Sequence, residues 1–435
     1  MIGGNRTLVY EKHIRDPLYG YIGLTRDELR LLDTPPLQRL RRIKQLANAH
    51  LVYPAACHTR FEHSLGVLHI ATLMARQLQI EGDDLMILRY AALLHDVGHG
   101  PFSHVFEAPL KEINGKDATH EVVTRRIIRE DEEVSSILGH LAEDVAAVLS
   151  EDQNGILHQI VSSNIDADKL DYLRRDSYHT GVAYGNFDLE RVLYTLRKTR
   201  KTRFQQREDL AVHEKGIDAI ESFRLARFLM YAQVYHHHTN VVANGMLQRA
   251  IEVAVRDGAV DAEKIRIGRD DFLEHYLALD DARLLAQMLS RPESTAADLV
   301  QRLERRDLFK RGYESNVSQE GDYLLRYQLG TKFTLDRARM IERAVAEECG
   351  CDPDYIVADL VQVENSLFKS VTTLLEEDKF PFLIERKDGT VTAIDSFSTL
   401  AYTGEPRTIF YLFCPEEHRQ TVQECAREII AETIG

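Results

Sequence analysis

A histidine and an aspartate are adjacent in the sequence, His95-Asp96, where an apolar helical stretch meets the glycine-rich run Gly98-His-Gly-Pro101. Neighbouring residues of a regular helix point about 100° apart, so this pair can bind one ion only near such a distorted helix end. His63 precedes the pair on one predicted helix, and Asp168 follows it on another. Two imidazoles and two carboxylates together suit a divalent ion such as Mn, Fe, Mg, Ni or Zn. Taken alone, a His-Asp dipeptide is also explained by accidental adjacency or by a helix C-cap.

Two further polar side chains share one predicted helix face with Asp168, the last of these candidate ligands. Asp168, Tyr172 and Asp176 stand four residues apart, which places the two carboxylates about 12 Å apart along the helix axis. The face therefore carries a candidate metal ligand at one end and a second carboxylate at the other. The alternative interpretation is a solvated acidic helix face with Tyr172 half buried.

Arg227, Tyr231 and Tyr235 repeat this spacing on a later predicted helix. An arginine can bind phosphate oxygens bidentately, while a tyrosine ring packed against a sugar would exclude a 2′-hydroxyl. Ordinary core packing of the tyrosines and a structural ion pair of Arg227 remain the alternatives. The run Tyr235-His-His-His238 does not predict a metal site, because consecutive helical residues point in different directions.

Most of these residues lie in a region, from Leu24 to about Ile267, whose apolar spacing is helical. Thr25-x-x-Glu28 predicts a capping box, and Thr34-Pro35 begins a second helix that runs towards Leu46. Further helices are predicted at Ser64 to Leu78, Asp84 to His95, His120 to Arg129, Ile156 to Ser163, Asp166 to Tyr178 and Gly216 to Val255.

The pattern changes beyond about residue 350. Phe382 to Glu385 and Thr390 to Ile394 flank Lys387-Asp-Gly389, which predicts a β-hairpin, and Thr408 to Phe413 predicts a further strand. Glu416 to Thr433 predicts a closing helix. We therefore predict a mainly α protein, with a helical bundle over residues 1–345 and a small α+β C-terminal lobe over residues 346–435.

Composition limits the function classes. The chain has 435 residues, 44% of them hydrophobic and 28% charged, which is typical of a soluble globular protein. Its net charge of -15 disfavours non-specific duplex binding, which depends on neutralising phosphates. We expect neither a signal peptide nor a membrane span, because no long apolar run occurs. The five cysteines are Cys57, Cys349, Cys351, Cys414 and Cys425. They lack a C-x-x-C pair, so the sequence predicts neither a disulfide framework nor a thiolate zinc site. A cytoplasmic location is the simplest interpretation of this cysteine content.

Five sequence blocks resemble those of the HD-domain phosphohydrolases and occur in the same order as in that family. Within the family, the resemblance is to the deoxynucleoside triphosphate (dNTP) triphosphohydrolases. The blocks are Asp16-Pro-Leu-Tyr-Gly-Tyr-Ile22, Leu32-Asp-Thr-Pro-Pro-Leu-Gln-Arg-Leu-Arg-Arg-Ile-Lys-Gln-Leu46, His58-Thr-Arg-Phe-Glu-His-Ser-Leu-Gly-Val67, His95-Asp-Val-Gly-His-Gly-Pro-Phe-Ser-His104 and Asp166-Ala-Asp-Lys-Leu-Asp-Tyr-Leu-Arg-Arg-Asp176. A weaker likeness continues into the C-terminal lobe. The resemblance implies an HD-type helical core that binds a divalent metal ion through His63, His95, Asp96 and Asp168.

The same resemblance implies roles for three further histidines. His99 and His104 follow the metal pair on the glycine-rich turn, and His120 begins the next predicted helix, where N-terminal amides favour phosphate oxygens. In similar enzymes such histidines bind phosphate or transfer a proton, and His104 is our candidate for proton transfer. A carboxylate such as Glu121 would orient one of these rings. Surface or core packing is the alternative for all three.

A substrate-binding set also follows from the likeness. In similar enzymes the residues that match Asp176 and Gln45 bind the sugar 3′-hydroxyl, and Lys169 is the cation that faces phosphate. We place Leu46 beside Gln45 in this set, and Arg60 adds positive charge. Tyr172, Arg227, Tyr231 and Tyr235 complete it.

A second nucleotide site is a further expectation. Asp33, Gln38 and Arg41 match residues that bind a guanine-nucleotide regulator in a vertebrate member of the family, although a helix-end carboxylate and a core-edge ion pair would also explain them. A subunit interface is a typical element through which such a ligand acts, so we expect a homo-oligomer, a tetramer or larger.

The sequence therefore predicts a metal-dependent enzyme that hydrolyses dNTPs to deoxynucleoside and inorganic tripolyphosphate. Two alternatives stay open. One is an HD-type phosphodiesterase or nuclease that acts on single-stranded nucleic acid, and the other is a non-enzymatic nucleotide sensor. A continuous basic groove would favour the first alternative, and missing metal ligands would favour the second.

Overall fold

An antiparallel strand pair opens the computed structural model, which describes residues 8–150, 155–199, 208–317, 329, 333–363, 383–394 and 407–434. Strand β1 (Lys12–Asp16) pairs with β2 (Gly20–Leu24). Helix α1 (Arg26–Leu32) follows, and its N-terminus has the predicted capping box, in which Thr25 and Glu28 each accept the other's backbone N–H.

The second helix is shorter than predicted. Helix α2 (Pro35–Arg39) passes into one 3-10 turn (Leu40–Arg42) and stops, whereas the prediction extended it towards Leu46. The reason is an extended pairing between residues 43–45 and 58–60, in which Gln45 N donates to His58 O and Arg60 N donates to Ile43 O, both at 3.0 Å. The extended backbone at Ile43 is incompatible with a continuing helix, and the pairing holds Gln45 beside the start of the next helix.

A helical bundle forms the centre of the molecule. Its helices are α3 (Arg60–Gln77), α4 (Gly82–Leu94), α5 (Glu107–Asn114), α6 (His120–Glu130), α7 (Glu132–Leu138), α8 (Ala142–Val148), α9 (Ile156–Val161) and α10 (Ala167–Thr180). Helix α3 packs against α4 and α10 and is buried along most of its length. Helices α3 and α10 carry His63 and Asp168, and His95 and Asp96 follow directly at the C-terminal end of α4.

The predicted helix from Gly216 to Val255 is interrupted. Helix α11 (Leu189–Thr195), β3 (Leu196–Thr199) and β4 (Asp209–His213) lead into α12 (Ile217–Met230), a π-helical turn (Tyr231–Tyr235) and α13 (His238–Arg256). The Asn240 side chain donates to Tyr235 O at 3.0 Å, and His237 caps α13 by accepting from Thr239 N. The π-turn changes the direction of the tyrosine side chains relative to a regular helix.

Three helices extend the bundle beyond Ile267, where the predicted helical region ends. They are α14 (Phe272–Leu277), α15 (Asp281–Leu289) and α16 (Thr295–Arg305). Within the described residues, every helix is too short or too polar to span a lipid bilayer.

A three-stranded sheet organises the C-terminal part, in the order β5 (Lys310–Asn316), β9 (Arg407–Cys414) and β6 (Val357–Val363). Helices α17 (Leu335–Cys349) and α18 (Arg419–Ile434) pack against each other, and α18 also packs on β5. A 3-10 turn (Glu416–His418) precedes α18. The mainly α class with a small α+β lobe is thus confirmed.

The predicted hairpin is present, with β7 (Leu383–Glu385) antiparallel to β8 (Val391–Ala393), although Phe382 lies outside the described residues. It joins the sheet β3-β4-β7-β8 through a parallel pairing of β4 with β7. Strand β5 precedes the predicted division at residues 345 and 346 and pairs with β9 beyond it, and α17 spans that division.

Candidate functional site

The candidate metal ligands converge at the meeting point of α3, α4 and α10. Nε2 of His63 lies 2.9 Å from Asp168 Oδ1 and 3.7 Å from Asp96 Oδ2. Nε2 of His95 lies 3.3 Å from Asp96 Oδ1 and 3.8 Å from Asp168 Oδ1. Two imidazole nitrogens and carboxylates of both aspartates therefore surround one small volume.

His95 presents a nitrogen that lacks a hydrogen-bond partner. It caps α4, and its Nδ1 donates to Ala92 O at 2.9 Å, which fixes the lone pair of a neutral ring on Nε2. That Nε2 is buried and unpaired within the described residues. A buried nitrogen lone pair directed at two carboxylates fits a cation between them.

A buried carboxylate fixes the ring of His63. His63 Nδ1 donates to Asp171 Oδ2 at 2.8 Å, and Asp171 also accepts two hydrogen bonds from Arg175 at 2.8 and 3.0 Å. A carboxylate behind a histidine in this way is typical of histidines that bind metal. Gly66 is needed nearby on α3, because a Cβ there would lie 1.9 Å from Asp171 Oδ1.

The electrostatics of these groups also fit a cation. Burial alone lowers the pKa of His63, but its hydrogen bonds to Asp168 and Asp171 and the charge of Asp96 raise it to about 10. Burial alone raises the pKa of Asp168, yet His63 and then His95 lower it below its usual value. The carboxylates thus attract a positive charge at His63 Nε2, which a proton or a divalent ion can supply.

Arg60 supports Asp96. At the start of α3, its NH1 donates to Asp96 Oδ2 at 2.5 Å and its Nε donates to Ser103 Oγ at 2.8 Å. Burial raises the pKa of Asp96, but Arg60, His95 and His99 together lower it well below its usual range. Arg60, which we predicted to bind substrate, therefore also keeps Asp96 ionised.

The glycine-rich turn packs tightly on α6. A Cβ at Gly98 would lie 2.3 Å from both His120 O and Thr124 N, so only glycine allows this approach. Gly98 N donates to Thr124 Oγ1 at 3.0 Å. Beyond it, Asp281 accepts from Phe102 N at 2.7 Å and from Lys44 N at 3.0 Å, which ties the turn to the segment that holds Gln45.

Four side chains form a second cluster beside the turn, which we call the histidine cluster: His99, His104, Glu107 and His120. The rings of His99 and His120 stack with centroids 3.7 Å apart. Nδ1 of His104 and Nδ1 of His120 both donate to Glu107 Oε1, at 2.9 and 2.7 Å. The orienting carboxylate is thus Glu107, while the suggested Glu121 lies 3.4 Å from His120 Nε2.

The side chains of the histidine cluster differ in their exposure to solvent. His99 is buried, whereas the His104 side chain is 71% exposed and borders solvent. Burial and then the charges of Arg60 and His120 lower the pKa of His99 well below its usual range, so its ring is neutral. Burial alone raises the pKa of Glu107, but its hydrogen bonds from His104 and His120 lower it below the usual range, so this carboxylate is ionised.

The predicted sugar-binding side chains also lie together. Tyr235 OH donates to Asp176 Oδ2 at 2.6 Å, and His58 Nε2 donates to Asp176 Oδ1 at 2.8 Å. The ring of Tyr235 lies 6.2 Å from that of Tyr172 and 5.0 Å from that of Tyr231. Because Asp168, Tyr172 and Asp176 share α10, this group continues directly from the metal ligands. Sequence reasoning did not give His58 a role, although it opens one of the quoted blocks.

The remaining substrate-binding candidates border this group. Gln45 is buried, and its Oε1 is unpaired within the described part of the chain. Leu46 is half buried beside it. Lys169 Nζ donates to Asp166 Oδ2 at 2.7 Å, so its charge is partly balanced. The Arg227 guanidinium lies 5.2 Å from the centroid of the Tyr231 ring.

The three candidate regulatory residues lie on the surface near α2. Asp33 and Arg41 are exposed, Gln38 is half buried, and Arg41 Nε donates to Gln38 Oε1 at 3.1 Å. The Arg41 guanidinium also covers the Phe61 ring at 3.5 Å, next to Arg60 at the start of α3.

Comparisons with known proteins show which family this chain resembles. A family model described as the HD domain matches residues 60–176, and one described as the HD associated region matches residues 187–432. Uncharacterized protein YwfO of Bacillus subtilis is 33% identical over 95% of this chain and 94% of its own length. Deoxynucleoside triphosphate triphosphohydrolase SAMHD1 of Gallus gallus is 30% identical over 69% of this chain, a match that spans 55% of that protein.

A solved structure shares the fold. The crystal structure of a phosphohydrolase from Bacteroides thetaiotaomicron superposes with a TM-score of 0.72 at 28% identity, covering 93% of this chain and 99% of that one. Both family models together span the bundle and the C-terminal lobe. The chain belongs to the HD-domain phosphohydrolase family, with an HD-associated region that follows its HD domain.

Proposed function

We propose that this protein hydrolyses dNTPs to deoxynucleoside and inorganic tripolyphosphate in a metal-dependent reaction. The observation that carries the proposal is the continuity of three groups along one site. The candidate metal ligands lie between the histidine cluster and the group around Asp176. A dNTP has its α-phosphate between its sugar and its outer phosphates, so it matches that order.

The metal would be held by His63, His95, Asp96 and Asp168. When bound, a divalent ion at such a site polarises a phosphate oxygen and lowers the pKa of water. The set is neutral nitrogen and carboxylate oxygen, which suits Mn, Fe, Mg, Ni or Zn. Arg60 and Asp171 act behind these ligands, since they hold Asp96 ionised and fix the His63 ring.

His104 would donate a proton to the 5′-oxygen that leaves the α-phosphorus. Its Nδ1 is engaged by Glu107, so its Nε2 is the atom that faces a substrate. The ionised Glu107 stabilises a protonated imidazole, as a general acid requires. His120 shares the same carboxylate, and the neutral His99 can accept or donate one hydrogen bond to a phosphate oxygen.

Asp176 and Gln45 would bind the sugar. Each Asp176 oxygen accepts one hydrogen bond, which leaves lone pairs for a 3′-hydroxyl, and Gln45 Oε1 is unpaired within the described residues. Tyr172, Tyr231 and Tyr235 would pack around the ring and exclude a 2′-hydroxyl. Lys169, Arg60 and Arg227 would balance the triphosphate charge.

A substrate panel tests this proposal. Protein loaded with Mn²⁺ should consume dNTPs at least about 100-fold faster, by kcat/KM, than the matching rNTPs, because a buried site that excludes one hydroxyl can discriminate by a few kcal/mol. A single-stranded oligonucleotide in the same panel should remain intact. Cleavage of the oligonucleotide with intact dNTPs would favour the phosphodiesterase alternative, and tight dNTP binding without turnover would favour the sensor.

Regulation is proposed at the site of Asp33, Gln38 and Arg41. Asp can accept from the N1 and N2 hydrogens of guanine, and Arg can meet phosphate. The contact of Arg41 with Phe61 connects this surface to the start of α3, where Arg60 lies. We propose that a bound nucleotide shifts a homo-oligomer towards a state in which Arg60 and Gln45 are ordered.

Replacing Arg41 with alanine tests this role. GTP or one dNTP should accelerate hydrolysis of a second dNTP by about 5-fold or more in the unaltered protein, the range of typical coupling energies. Arg41→Ala should lose that acceleration while it keeps the basal rate. Arg305→Ala, which removes an exposed arginine of α16, is the matched control. If mixtures of nucleotides turn over no faster than single ones, the three residues are structural.

A further inference from the structure

A thiol cluster lies in the C-terminal lobe, outside the site described above. Cys349 is the last residue of α17, and Cys351 follows after Gly350, which ends the helix in the left-handed conformation at φ 64°. Cys351 N donates to Ala346 O at 3.0 Å, which folds the chain back onto the helix end. The Sγ atoms of the two cysteines lie within 4.8 Å of each other across this turn.

A histidine reaches the same region from another segment. His418 is the last residue of the 3-10 turn that precedes α18, and α18 packs against α17. One ligand atom each from Cys349, Cys351 and His418 lies within 4.8 Å of the others. All three residues are partly buried.

We propose that Cys349, Cys351 and His418 form a second metal site, for a borderline divalent ion such as Zn²⁺, independent of the HD-domain metal ligands. Zn²⁺ binds thiolate at about 2.3 Å and imidazole at about 2.0 Å, so tetrahedral ligands stand roughly 3.6 to 3.8 Å apart. Because the three ligand atoms lie within 4.8 Å of one another, a closure of at most about 1 Å reaches that geometry. Two thiolates balance the charge of the ion, and water fills its fourth position.

Cys414 and Cys425 pack in the same apolar cluster as Cys349 and Cys351, but neither brings its sulfur within 4.8 Å of all three ligand atoms. Cys414 is fully buried, and its Sγ lies against Gly312, where a Cβ would approach it to 3.2 Å. Cys425 contacts Val422 O within α18. Cys57 is exposed and lies in the helical bundle. The sequence prediction of no thiolate site relied on the missing C-x-x-C spacing, whereas the fold combines a C-x-C pair with a distant histidine.

Occupancy of this site would join the end of α17 to the start of α18. Metal binding to thiolates releases their protons, so the affinity of the site should increase as the pH rises. The lobe would gain a fixed link between two helices that otherwise meet through apolar packing.

Cobalt substitution tests the proposal on the full-length chain. Under reducing conditions, Co²⁺ alone should produce a thiolate-to-cobalt charge-transfer band in the ultraviolet, and added Zn²⁺ should abolish it. Asp168→Ala should keep this band, since that residue serves only the other metal site. The double variant C349S/C351S should lose the band and one equivalent of bound Zn²⁺, whereas the matched control Cys57→Ser should keep both.

Protection of the thiols gives a second readout that needs no variant. Zn²⁺ should protect two cysteines of the unaltered protein from alkylation, and mass spectrometry should locate them at 349 and 351. The absence of a charge-transfer band, or its persistence in a folded C349S/C351S protein, would overturn the proposal. Zinc protection of neither cysteine would overturn it as well.

Discussion

Asp168→Ala should lower dNTP turnover by at least about 1000-fold and remove one equivalent of the catalytic metal. A bound divalent ion stabilises transition-state charge by several kcal/mol, and each 1.4 kcal/mol changes a rate about tenfold. Asp168 Oδ1 is the atom that lies within 3.8 Å of both candidate imidazole ligands. Its loss therefore opens the side of the site where the two rings meet.

The control for this variant is Asp270→Ala, which removes an exposed aspartate of the same chain. It should keep full activity and full metal content. Metal analysis and steady-state rates, measured on both proteins after their folding is checked by circular dichroism, decide the matter. Stoichiometric metal and normal turnover in Asp168→Ala would show that the ion is bound elsewhere.

Glu107→Gln should reduce kcat by about 100-fold with little change in KM, the size typical of lost general-acid catalysis. A neutral amide can still accept a hydrogen bond, but it no longer stabilises a protonated His104 or fixes the orientation of His120. The unchanged KM is the second readout, because it separates an orienting role in proton transfer from simple loss of structure.

Glu121→Gln is the matched control for that experiment. Glu121 lies 3.4 Å from His120 Nε2 and its side chain is 40% exposed, so its replacement should change kcat by less than about 3-fold. The ratio of the two effects is the informative quantity. If Glu121→Gln proves as damaging as Glu107→Gln, the assignment of Glu107 as the orienting carboxylate is wrong.

Local sequence signals predicted much of the fold. The capping box at Thr25 and Glu28 is present, and the helices predicted around His63, Asp84 and Asp166 occur with small shifts at their ends. These elements depend on capping residues and apolar periodicity, which are local. The predicted helix from Thr34 towards Leu46 was too long because a distant segment, residues 58–60, pairs with its last residues.

The candidate ligands were also visible in the sequence, but their supporting residues were not. Glu107 stands three residues after His104, and Asp171 stands three residues after Asp168. This spacing alone does not mark either carboxylate as functional. Their partners come from other elements: His120 from α6 for Glu107 and His63 from α3 for Asp171. Helix packing alone brings such residues together, which explains why Glu121 was an attractive but less direct choice.

Phosphorus NMR of the products of dGTP hydrolysis tests the central claim most directly. Attack at the α-phosphorus, with His104 protonating the 5′-oxygen, releases intact tripolyphosphate and deoxyguanosine. We therefore predict the resonances of inorganic tripolyphosphate from the first turnovers, without pyrophosphate or orthophosphate. Pyrophosphate together with deoxyguanosine monophosphate, or orthophosphate together with deoxyguanosine diphosphate, would contradict the proposed function.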